Sequence, residues 1–253
     1  MLKKLIKHEF ISTWKTMLPL YAALLVAAGA GRLLNAFGGS SEAALMQSVI
    51  NIVRILNDIV LALGAFLTLY VIAQRVYRSM LGDEGAATMS VPATVRAQLT
   101  ARFIAAMVWC AATMGFSVLA YWIYRAVLPP AVTLFFNSGF GFLYSLMAAV
   151  IALLMAAVIV AALYLACAIG HLFIKQRPAA TIMSGIALLA ALGGLSYAVF
   201  EFGVFEKLFG FIGESAVGAL NDYGVFAAVF FAALCVICFE IANRIINRKL
   251  NLL

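Results

Sequence analysis

Six apolar stretches, separated by short charged or glycine-rich connections, constrain this chain more than any motif in it. They lie at about residues 17–34, 59–73, 103–124, 142–168, 179–200 and 224–242. The chain is 66% hydrophobic and only 11% charged over 253 residues, with a mean hydropathy of +1.09. A globule of that length cannot bury so much apolar surface, so lipid has to be its solvent. Hydrocarbon offers no partner to backbone N–H and C=O groups, and a segment that crosses it must satisfy them internally. The expectation is an all-α polytopic membrane protein of six transmembrane helices.

The net charge of +7 would suggest nucleic acid for a soluble protein. Here the basic residues stand at the ends of apolar segments, as topology selection requires, and no nucleic-acid partner is implied. With both termini cytoplasmic, thirteen basic residues fall inside: Lys3, Lys4, Lys7, Lys15, Arg75, Arg78, Arg96, Arg102, Lys175, Arg177, Arg244, Arg248 and Lys249. Only four, Arg32, Arg54, Arg125 and Lys207, fall outside. Residues 1–16 place Leu2, Leu5, Ile6, Phe10 and Trp14 near one helical face, with Lys3, Lys4, Lys7, His8 and Lys15 around the rest. That pattern predicts an amphipathic helix on the inner leaflet, its lysines drawn to anionic lipid and His8 on the wetted face. Residues 17–253 then form the six-helix transmembrane domain. Charge interleaved through MLKKLIKHEF does not fit a cleaved signal.

The connections are uneven in character. Asn51, Arg54, Asn57 and Asp58 recur at spacings of three and four before the second span, which marks one polar helical face. Such a face belongs toward water, a partner helix or a cavity; a substrate-lining role and a place in the outer headgroup region both fit. Residues 201–223 carry Glu201, Glu206, Glu214 and Asp222 among many apolar residues. Too polar to cross and too apolar to float free, this stretch is expected as a short embedded outer segment between the fifth and sixth helices. Cys235 and Cys238, one turn apart in the sixth span, read as packing residues, and His171 reads as a membrane-edge residue.

The longest polar interruption is Arg75 to Arg102, where Gly82 and Gly85 bracket Asp83 and Glu84, and Pro92 follows. A water-facing connector between two spans is a natural docking element. No phosphate-cradling Gly-x-x-x-x-Gly-Lys, zinc-binding His-Glu-x-x-His or Gly-x-Ser-x-Gly nucleophile turn occurs in the chain, so neither catalytic nor metal residues are assigned. Ionisable residues sit at span ends, with Glu240 alone approaching a midplane from the inner end of the sixth span, and proton- or sodium-coupled transport has little to work with. Energy for any transport is expected from elsewhere, entering through the connector.

The run Gly82-Asp83-Glu84-Gly85, continued by Ala86-Ala87-Thr88-Met89-Ser90-Val91-Pro92-Ala93-Thr94 and then Leu99 and Arg102, resembles the cytoplasmic loop of type-2 ABC exporter permeases from bacterial clusters for peptide and drug resistance. Thr88, Val91, Pro92, Thr94 and Arg102 match that loop, whereas Ala86 stands where an aromatic residue is usual. The resemblance implies a bacterial cytoplasmic-membrane permease subunit, paired with a second permease (a homodimer or a related paralogue). Two copies of a separate ATPase would bind the ATP and Mg, with no cofactor held directly by this chain. Gly82, Asp83, Glu84, Gly85, Thr88, Pro92 and Arg96 would then couple it to the ATPase, through a short helix that Asp83 and Glu84 help to start. An amphipathic cargo, such as an antimicrobial peptide, drug or lipid, fits the apolar spans. A secondary carrier and a non-transporting scaffold or sensor are the competing expectations.

Overall fold

The computed structural model describes residues 2–38, 44–81, 94–125, 141–170, 172–173, 177–201 and 216–250. The described residues form helices α1 (Leu2–Gly38), α2 (Ala44–Leu81), α3 (Val95–Arg125), α4 (Gly141–Gly170), α5 (Arg177–Glu201) and α6 (Ala216–Leu250), with no strand among them. All six are long and apolar enough to cross a membrane. Large apolar side chains cover their outer faces, including Phe66, Ile182, Met183, Ile186 and Val229. An outer surface of that kind is stable only against hydrocarbon, and the chain is a multi-pass membrane protein.

α4 is the pillar of the bundle. It packs most extensively on α6 and α5 and also touches α2 and α3. Along 157–168 nearly every residue is buried, among them Val160, Ala161, Tyr164 and Ala168. A helix that is apolar all round, as this one is in sequence, suits the centre of a bundle. Its alanines let neighbouring backbones come close, the main source of helix attraction where lipid removes any hydrophobic drive. α1, α2 and α3 pack on one another beside it, and α3 also touches α6.

Several boundaries differ from the sequence expectation. Residues 2–38 form a single helix, running through Pro19 with no break near residue 16. Proline is tolerated inside a membrane helix where neighbouring groups compensate for the lost hydrogen bond. α2 and α3 extend the second and third spans well into the polar stretch assigned to the connector: α2 continues to Leu81 and α3 begins at Val95. Thr94 explains the start of α3, since its Oγ1 accepts from the Ala97 N–H at 3.3 Å and its carbonyl from the Gln98 N–H at 3.1 Å, an N-cap that the sequence permits but does not announce. Residues 82–93 lie outside the described residues, and so do 202–215 of the expected embedded segment. Residues 216–223, assigned to the same segment, belong to α6.

Close approach between α1 and its neighbours depends on glycine at two points. A Cβ on Gly31 would lie 2.8 Å from two ring carbons of Tyr124, a side chain only 1% exposed. A Cβ on Gly64 would meet the end of Leu24 at 2.8 Å, where a flexible side chain can yield. Gly31→Ala is therefore expected to cost about 1–3 kcal/mol through overpacking. Gly193→Ala, at a position with nothing within 4 Å, should leave stability unchanged or raise it slightly. Thermal unfolding of the two variants in detergent checks the contrast.

Candidate functional site

The ends of α1, α2, α3 and α6 meet at one end of the bundle, where three of the four ion pairs among the described residues are gathered. Glu9 on α1 accepts from Nε of Arg75 on α2 at 2.7 Å and from Nε of Arg102 on α3 at 3.4 Å. Side-chain exposure is 15% for Glu9, 10% for Arg102 and 30% for Arg75. One carboxylate thus holds two guanidiniums in a mostly desolvated place, and the trio keeps a formal charge of +1. Nearby, Arg96 Nη2 on α3 meets Glu240 Oε1 on α6 at 2.6 Å, in a far more exposed pair.

A polar seam runs inward from Glu9. Thr13, one turn on, donates through Oγ1 to the Glu9 carbonyl at 2.7 Å and accepts from Trp109 Nε1 at 2.9 Å. Thr113 donates to the Trp109 carbonyl at 2.9 Å and sits 3.0 Å from both the Tyr21 hydroxyl and the Thr68 hydroxyl. These side chains tie α1, α2 and α3 together at hydrogen-bond range inside an otherwise apolar layer, where an unpaired hydroxyl would be costly. The Tyr21 ring also stacks on Phe116, centroids 4.5 Å apart.

Between the trio and the pillar lies a small half-open pocket with a cavity volume of about 20 Å3, lined by Glu9, Arg75, Arg102, Trp109, Tyr164 and neighbouring apolar residues. Tyr164 from α4 is wholly buried there, and its hydroxyl has no hydrogen-bond partner among the described residues. The pocket therefore brings two guanidiniums, a carboxylate, an indole and a phenol together at the ends of the spans.

Of the residues expected to couple the chain to an ATPase, Gly82, Asp83, Glu84, Gly85, Thr88 and Pro92 lie outside the described residues. Arg96 is described, in its pair with Glu240. The four candidate path residues do not share one environment. Asn51, Arg54 and Asp58 are exposed, and Asp58 pairs with Arg125 at 3.5 Å. Asn57 faces inward, buried, with its Nδ2 unpartnered among the described residues. They lie at the bundle end opposite the Glu9 trio, with the Tyr124 cluster of Ala28, Ala120 and Val53. Cys235 and Cys238 are free thiols, the first half-buried and the second buried.

Glu9, Thr13, Tyr21, Thr68, Trp109, Thr113 and Tyr164 were not singled out by sequence. The available signal was Glu9 itself, the lone acid among the basic residues of 1–16, in helical register with Thr13 four residues on. No family model matches this chain, and comparison with curated proteins and with solved structures finds no match.

Glu9→Ala strands two guanidiniums beside each other in a desolvated pocket and is expected to cost about 3–5 kcal/mol. Glu240→Ala, which breaks the exposed pair, should cost at most about 1 kcal/mol. Thermal unfolding in detergent separates the two, and equal losses would show that the Glu9 pairs are no more important than a surface bridge.

Proposed function

We propose that this chain is the permease subunit of an ATP-driven exporter, moved by a separate ATPase that grips the connector between α2 and α3. The single observation that carries the reading is the way the connector's two roots are anchored. Arg75, near the end of α2, and Arg102, in the second turn of α3, meet on the same carboxylate of α1, while Arg96 ties the start of α3 to α6. A lateral push on the segment between them would be passed to α1 and α6 as well as to the helices directly attached, which is what a transmission element needs. The resemblance of residues 82–102 to the coupling loop of type-2 ABC exporter permeases supports the same assignment.

In this reading residues 82–92 dock in a groove of the ATPase, with Asp83 and Glu84 at the start of a short helix or paired with basic residues of the partner. Two permease subunits pair with two ATPase subunits, ATP and Mg stay on the partner, and both termini are cytoplasmic in a bacterial inner membrane. The amphipathic face of residues 1–16 lies at the inner leaflet. Apolar spans and few midplane charges favour an amphipathic cargo such as an antimicrobial peptide, drug or lipid.

Asp83→Lys combined with Glu84→Lys is expected to abolish stimulation of the co-purified ATPase while leaving membrane insertion intact. Unchanged stimulation would remove the connector from the mechanism. Transport that survives loss of the ATPase and collapses with the proton gradient would instead favour a secondary carrier. Recovery of the chain from native membrane with no nucleotide-hydrolysing partner would favour a scaffold or sensor.

A further inference from the structure

We propose that the mouth of the Glu9–Arg75–Arg102 pocket binds the phosphate of an anionic membrane lipid, in competition with the Glu9 carboxylate. The hydrogen bond of each guanidinium to Glu9 runs through Nε, and the Nη pair, the part of arginine best shaped for a phosphate fork, makes none to Glu9 among the described residues. The surplus positive charge sits in a mostly desolvated place, where an uncompensated guanidinium is costly and an anion is correspondingly welcome.

Depth selects a lipid over a soluble anion, since Glu9, Arg75 and Arg102 lie toward the ends of their spans. The trio lies where α1, α2 and α3 reach the polar ends of their spans, the level of lipid headgroups. Beneath it Ile72, Val76, Ala105 and Ala106 are buried, so the acyl chains of a lipid held there stay on the outer, hydrocarbon-facing surface of the helices. The pocket itself, about 20 Å3, takes a water and nothing larger. The phosphate is therefore held at the mouth, on Arg75, the most exposed member of the trio, with Arg102 behind it. Glu9 is the competitor: it neutralises one of the two guanidiniums, and whatever loosens it frees both for the headgroup. Lipid binding here does not depend on an ATPase partner, so it stands or falls separately from the transport reading.

Native mass spectrometry of the purified chain in detergent tests it, with phosphatidylglycerol, phosphatidylethanolamine or inorganic phosphate added in separate arms. Phosphatidylglycerol should be retained well above phosphatidylethanolamine, whose ammonium offsets the charge, and inorganic phosphate should not compete it off. Arg75→Gln should lower retention about tenfold, the loss of a charge-assisted contact. Arg96→Gln removes the same charge outside the pocket and should leave retention unchanged. Glu9→Gln should raise retention, a direction that a merely structural role for Glu9 would not produce. Should Glu9→Gln fail to fold, Arg75→Gln against Arg96→Gln decides alone. Equal losses from those two, no gain from a folded Glu9→Gln, or displacement by inorganic phosphate would each overturn the proposal.

Discussion

A carboxylate that holds two arginines at once is the interaction on which the rest of this structure turns. Glu9 lies on the first helix, and its partners close the second helix and open the third. In lipid, close packing such as Gly31 against Tyr124 helps to set the axial register of helices. A desolvated ion pair does so too, because slipping by one turn would strand charges that cannot find water. The hydroxyl seam of Thr13, Thr113, Tyr21 and Thr68 repeats the same instruction deeper in the bundle. Each polar group there has a specific neighbour, and together they lock α1, α2 and α3 into one arrangement.

The other half of the bundle is held by different means. α4 buries alanines and a few larger residues against α5 and α6, with sparse hydrogen bonding such as Ser184 Oγ to the Ala166 carbonyl at 3.2 Å. Dispersion over close helix contacts carries the attraction. Contacts of this sort resist separation but slide more readily than an ion pair. Tyr164 stands where the two halves meet, its ring edge-on to Phe103 at 6.1 Å between centroids. The polar half and the packed half thus share a boundary beside the Glu9 pocket.

Much of the helical architecture was legible from residues alone, because hydrocarbon admits few alternatives. The positions of all six spans follow from apolar runs, but the central place of α4 does not, because a helix with no polar face suits lipid as well as a bundle centre and only its packing on α5 and α6 decides. Helix ends were harder to read. The start of α3 depends on Thr94 acting as an N-cap, and threonine is common enough in polar connectors that its presence decides nothing. Asn51, Arg54, Asn57 and Asp58 look like one face by spacing, yet Asn57 turns toward the core while the others face out. A difference of one residue is 100° around a helix, and which side is inward depends on what packs there.

What the sequence determined by itself is the solvent of this protein and the number of times it enters it, since apolar length and the cost of unpaired backbone groups leave no other solution. Tertiary structure alone decided the company each charge keeps. Glu9, Arg75 and Arg102 are separated by up to 93 residues, and nothing local distinguishes a glutamate that will be wetted from one that will be enclosed. That distinction arises only when three helices pack at a common depth and one carboxylate becomes the nearest compensation for two half-buried guanidiniums.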